Sequence, residues 1–109
     1  MTLRIYPVAL EMVRDAGVLA TRIGAFDRKL ADQLRRASSS VALQMAEGMY
    51  SSAGNRTMRY REAMGSAREV LACAEVAAAL GYTSDVDDEL AQRLGRIIGT
   101  LHKIVAPRR

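Results

Sequence analysis

The chain has 109 residues, half of them apolar and only 5% aromatic, with a formal charge of +4 at neutral pH. That length suits one domain and leaves no room for a second core. The lone Cys73 excludes an intrachain disulfide, and the mild positive charge admits an acidic partner such as nucleic acid without demanding one.

Alanine is the commonest residue and aromatic side chains are few, a balance that favours helix over strand. Proline occurs only at Pro7 and Pro107, so nothing between them forbids helix. From Ile5 the residues Ala9, Met12, Ala16, Leu19, Ile23 and Phe26 step by four and three, which predicts a first helix over about 6–25 with Pro7 in its first turn. Asp27 is placed to cap a second helix over about 28–50, whose seam is Leu30, Leu34, Ala37, Val41, Gln44 and Gly48. Ser51–Asn55 reads as a turn. A third helix over about 56–80 carries Tyr60, Met64, Ala67, Leu71, Ala74 and Ala78 and stops at Gly81. A fourth, over about 85–105, opens with Asp85, Asp87, Asp88 and Glu89, where the helix dipole favours negative charge. Its core face is Val86, Leu90, Leu94, Ile97, Leu101 and Ile104. Short connections join only neighbouring antiparallel helices, so the expected fold is all-α: one antiparallel up-down-up-down four-helix bundle spanning residues 1–109.

This topology sorts the charges by pole. The Ser51–Asn55 turn and both termini share one end, which gathers Arg4, Arg56, Arg59, Arg61, Lys103, Arg108 and Arg109 against Glu11 and Glu62. The other end sets Arg22, Arg28 and Lys29 against Asp27, Asp32, Asp85, Asp87, Asp88 and Glu89. Arg56, Arg59, Arg61, Lys103, Arg108 and Arg109 are therefore the candidate contacts to RNA or DNA. Only Tyr50 and Tyr60 could stack nearby, so such contacts would be to phosphates, salt-sensitive and weakly specific. The plainer reading is a solvated basic surface, with an acidic cluster that only caps the fourth helix.

Ser40, Gln44 and Glu47 form a polar strip on the second helix, and buried polar groups need partners. Pairing helices two and three about their turn predicts an Arg36–Glu69 contact and one from Glu47 to Arg61 or Arg68. Their expected role is to fix helix register or an oligomer interface. Gly17, Gly48, Gly65, Gly95 and Gly99 each cost roughly 1 kcal/mol inside a helix. Close backbone approach, within the chain or between copies, is the expected compensation.

Reactive chemistry is not expected. A di-metal bundle site needs Glu-x-x-His pairs, whereas the single His102 follows Gly99 at that spacing. Ser38, Ser39 and Ser40 have no local base, Cys73 sits between alanines, and no glycine-rich phosphate loop is present. The chain is thus expected to be no enzyme and to carry no metal or cofactor. No apolar run approaches the ~20 residues that cross a bilayer, and the N-terminus lacks a secretory pattern, so a cytoplasmic location is expected.

Several motifs carry a resemblance: Tyr6-Pro7 with Ala9; Asp32-Gln33-Leu34-Arg35-Arg36-Ala37-Ser38-Ser39-Ser40 running into Ala46-Glu47-Gly48; and Tyr60-x-x-Ala63 followed by Gly65-Ser66-Ala67-x-Glu69. In these the chain resembles the four-helix bundle family named for proteins encoded in intervening sequences of 23S ribosomal RNA genes. It departs at Gln44, where that family usually has Asn, and at Met45, where Ile is commoner. The resemblance implies a ring-like homo-oligomer, a pentamer. It also implies a likeness to accessory proteins of diversity-generating retroelements, where a basic oligomer acts with a reverse transcriptase and its RNA. The expected function is that of a non-catalytic homo-oligomeric accessory protein that binds nucleic acid. The alternative is a scaffold that recruits a partner protein through its helix faces, with no nucleic-acid role.

Overall fold

The computed structural model describes residues 3–107, so Arg108 and Arg109, two of the candidate phosphate contacts, lie outside the described residues. Four helices follow in order: α1 (Tyr6–Gly24), α2 (Arg28–Met49), α3 (Ala53–Ala79) and α4 (Asp88–Val105). They form an antiparallel four-helix bundle measuring 45 × 22 × 18 Å. Packing is cyclic, α1 on α2, α2 on α3, α3 on α4 and α4 back on α1, and it is most extensive between α2 and α3. None of these helices is long and apolar enough to cross a membrane.

Local chemistry sets the ends. Pro7 occupies the first turn of α1. The Asp27 carboxylate accepts from the Leu30 amide at 3.0 Å, capping α2 after a corner of only three residues. At the other end of α3, the Tyr82 amide bonds to the Ala77 carbonyl and the Gly81 amide to that of Ala78. This paired closure needs a left-handed residue, and Gly81 supplies it with φ of 79°. Two starts differ from the sequence expectation. α3 begins at Ala53 because Ser52, extended, accepts the Arg56 amide at 2.7 Å, so Gly54 and Asn55 are helical rather than in the turn. α4 begins at Asp88 because Asp87 caps it through the Glu89 amide at 2.9 Å, while Asp85 bonds the Val86 amide within the loop.

The core is lined by Met12, Ile23, Leu34, Met45, Tyr60, Leu94 and Leu101, set among alanines that let the helices approach closely. Phe26, expected in the α1 seam, lies past the last turn of that helix and is 67% exposed. Ile104, in the last turn of α4, is likewise largely exposed. Gln44 sits at the edge of the α2–α3 seam while Met45 takes the core position beside it. In α3 the buried face includes Ala63, Val70 and Ala77, whereas Leu71 and Ala78 are only partly buried. That face leans toward α2, the more extensive of its two neighbours.

Candidate nucleic-acid interface

The seam between α2 and α3 decides which arginines are free. Ser40 and Ser66 share a hydroxyl hydrogen bond of 2.9 Å, which pins the register of the two helices. One heptad before Ser66, Arg59 faces α2 opposite Glu47, one heptad after Ser40. It donates to Gln44 Oε1 at 3.2 Å, pairs with Glu47 at 3.1 Å and lies 3.7 Å from Glu62. Glu47 therefore pairs with Arg59, not with Arg61 or Arg68 as the sequence suggested. Those two sit about 200° and 180° around α3 from Arg59, two and nine residues on, at 3.6 residues per turn. Arg36 and Glu69 line one surface groove with Lys29, Asp32 and Gln33, but they form no ion pair. Asp32 instead meets Arg35 at 3.6 Å.

Arg56 is also engaged. Its Nε donates to the Gly48 carbonyl at 3.2 Å and its Nη2 to the Ser51 carbonyl at 3.0 Å. The Gly48 carbonyl also accepts from the Ser51 amide at 3.3 Å and the Ser51 carbonyl lies in the turn just beyond α2, so the guanidinium bridges helix end and turn and closes the α2–α3 connection. Arg56 and Arg59, two of the six candidate phosphate contacts, thus hold the fold together.

Other cations remain open. Arg61, Arg68, Arg96 and Lys103 are exposed, and none forms an ion pair with a described residue. Arg61 and Arg68 are seven residues apart on α3, as are Arg96 and Lys103 on α4, so each pair marks a strip along its helix. Arg59 and Ser66 mark the edge of α3 that faces α2, which places the Arg61–Arg68 strip toward α4. Gly95 and Gly99 lie on the α3 side of the Arg96–Lys103 strip, Gly65 on the outer face of α3, and a Cβ on any of the three would meet nothing within 4 Å. The expected compensation by close approach within the chain is therefore absent at these three and at Gly17; only at Gly48 does another side chain crowd the site. These four cations extend from the pole, at Arg61 and Lys103, to the middle of the bundle, at Arg68 and Arg96, while Arg4, Arg14, Arg22, Arg28, Lys29 and Arg36 are exposed without a described ion pair as well.

Sequence reasoning missed one centre altogether. Arg93 on α4 donates to Asp15 and, at 3.2 Å, to Glu11, both on α1, and lies 3.5 Å from Glu89. The hydrogen bond to Asp15 is the first cause holding its pKa above the ordinary arginine value. The signal was present as two pairs spaced by four residues, Glu11 with Asp15 and Glu89 with Arg93. Burial likewise raises the Cys73 thiol, with Glu69 acting in the same direction. Among the described residues no group of three or more His, Cys, Asp or Glu side chains is placed to hold a metal ion.

The model of a family described as 23S rRNA-intervening sequence protein matches residues 1–103 of this chain. A solved structure of similar shape is that of a protein of unknown function from the S23 ribosomal protein family of Bacteroides thetaiotaomicron. It superposes with a TM-score of 0.81 at 15% identity, covering 94% of this chain and 99% of that one. At such identity the likeness shows the fold alone. None of the curated proteins matches this chain.

Proposed function

The chain belongs to the 23S rRNA-intervening sequence protein family, and from that premise we propose that it is a non-catalytic, self-associating bundle that holds RNA or DNA through phosphates. The observation that carries this reading is the set of exposed cations without ion-pair partners along α3 and α4: Arg61, Arg68, Arg96 and Lys103. Phosphate contacts of this kind release counterions, so affinity falls steeply with salt and depends little on sequence. Arg61 and Lys103 keep the role their sequence positions suggested. Arg68 and Arg96 join them, and Arg56 and Arg59 act by supporting the turn.

Self-association into a ring, a pentamer by family likeness, is supported by apolar side chains left on the outside. Leu43 on α2 is 63% exposed and Leu10 on α1 is exposed as well. Work alongside a reverse transcriptase rests on the same likeness. Filter binding to structured RNA and duplex DNA tests the main reading. Binding at low salt that weakens when Arg61, Arg68 and Lys103 are changed to Glu supports it; no binding at low salt, or none lost in the variant, removes it.

The second reading, a scaffold without nucleic acid, is favoured by the same exposed apolar residues. Copurification of one partner that persists after nuclease treatment, together with no binding to either nucleic acid, would select it.

A further inference from the structure

The pole formed by the α1–α2 corner and the Gly81–Asp87 loop has the opposite character. Phe26 stacks on Tyr82 with centroids 5.4 Å apart and rings within 5° of parallel. The Tyr82 hydroxyl donates to Asp27 at 3.3 Å, so the pair ties the corner to the loop. Beside it lies a cleft of about 260 Å³ between α1 and the loop. Val18, Leu19 and Leu90 give it an apolar lining, Tyr82 an aromatic one, and Asp15, Asp85 and Asp87 line it against the single Arg22. Val18 is exposed, as are Phe26 and Leu80 nearby in the fold's loop pole, although water is a poor solvent for all three.

We propose that this pole docks a basic polypeptide segment, with an arginine or lysine side chain laid in the cleft. A long cationic side chain is apolar along its stem and charged at its tip, which matches a Val–Leu lining edged by carboxylates. Arginine also stacks on aromatic rings, and Tyr82 offers one. The acidic edge repels phosphate, so this surface does not continue the nucleic-acid face. A metal ion is the poorer occupant because Asp85 and Asp87 are already committed to backbone amides. A second copy is the competing occupant, because this chain carries exposed cations without described ion pairs on every helix, and the variants below separate the two.

The inference goes beyond the nucleic-acid reading and can fail separately from it. Nuclease-treated full-length protein is titrated into a short fluorescein-labelled peptide of alternating arginine and glycine, with a glutamate–glycine peptide as control. The expected result is saturable binding of the arginine peptide alone, weakened about tenfold when NaCl rises from about 50 to about 300 mM. Val18→Lys, at an exposed helical position, places a like charge in the cleft and lowers affinity about tenfold or more. Phe26→Ala lowers it as well, while Arg61→Glu on the other face leaves it unchanged. Circular dichroism melts confirm that each variant is folded. Absence of peptide binding at low salt overturns the proposal, as does binding that survives both Val18→Lys and Phe26→Ala. Self-association abolished by Val18→Lys, without peptide binding, also overturns it and assigns the pole to a second copy.

Discussion

A Cβ on Gly48 would stand 2.2 Å from Cε1 of Tyr60, inside any tolerable contact. The buried tyrosine of α3 lies across α2 at the one place where α2 has no side chain, next to the carbonyl that Arg56 holds. Glycine is required there by space and not by backbone conformation, because Gly81 alone of the described glycines has positive φ and Gly48 is helical.

Gly48→Ala is accordingly expected to cost about 1–3 kcal/mol, since a rigid ring in a packed core can yield only by displacing its neighbours. Urea denaturation measures it. Pairing the change with Tyr60→Leu should recover part of the loss that the two single changes add up to, and simple additivity would show that the ring is not what Gly48 accommodates.

Arg56 and Arg61 should separate stability from binding. Arg56→Ala removes two hydrogen bonds at the α2–α3 turn, leaving the Ser51 carbonyl without its donor while that of Gly48 keeps the Ser51 amide, and is expected to lower stability by about 1–2 kcal/mol. Arg61→Ala and Lys103→Ala, exposed and without ion pairs, should stay within about 0.5 kcal/mol of the parent. If the α3–α4 face holds phosphate, those two changes reduce RNA affinity and the steepness of its salt dependence more than Arg56→Ala does.

Where an added methyl meets open space, the sign reverses. Gly95→Ala and Gly99→Ala replace a flexible backbone by a good helix former, and each should stabilise the isolated chain by about 0.5–1 kcal/mol. A rise in melting temperature accompanied by loss of self-association, read by sedimentation, would show that another copy needs the glycine surface. A rise with no change in association state would show that contacts between copies, if they form, do not use this surface.

Alkaline pH should weaken the fold. Burial pushes the Tyr60 phenol above its ordinary value of 10.0, with Arg56 pulling the other way. For Tyr82, desolvation comes first, and the Asp27 charge and hydrogen bond add to it. Because the folded pKa exceeds the unfolded one, this stability is complete below pH ~10 and is lost as pH climbs through the folded value. The urea midpoint is expected to hold up to about pH 10 and to fall above it. Tyr60→Phe, which keeps the ring and cannot ionise, should flatten that fall, and an equal fall in the variant would rule out the phenol as its source.

The helices were legible because apolar residues recur at helical spacing and because Pro7, Asp27 and Gly81 carry end signals that act locally. Pairwise chemistry was not. Periodicity places Arg59, Arg61 and Arg68 on one helix but leaves open which one faces α2, which the register set at Ser40–Ser66 and the contacts of Arg59 to Gln44 and Glu47 decide. The same ambiguity put Gln44 in the seam in place of Met45. Arg56 was read as free charge because a guanidinium bonded to main-chain carbonyls leaves no mark in the sequence beyond its own letter. Phe26 illustrates a different loss: its spacing continues the seam of α1, but the helix stops at Gly24 and the ring turns to Tyr82 instead.

Arg93 gives the order of the chain a further meaning. Its carboxylates at Glu11 and Asp15 belong to α1, while the guanidinium belongs to α4, made after the other three helices of the bundle. Three helices must therefore emerge and wait with their common groove uncovered until the fourth arrives to seal it. The nascent bundle is open along one side until α4 has emerged, and whatever shields that side in the interval acts before the bundle exists as a closed object.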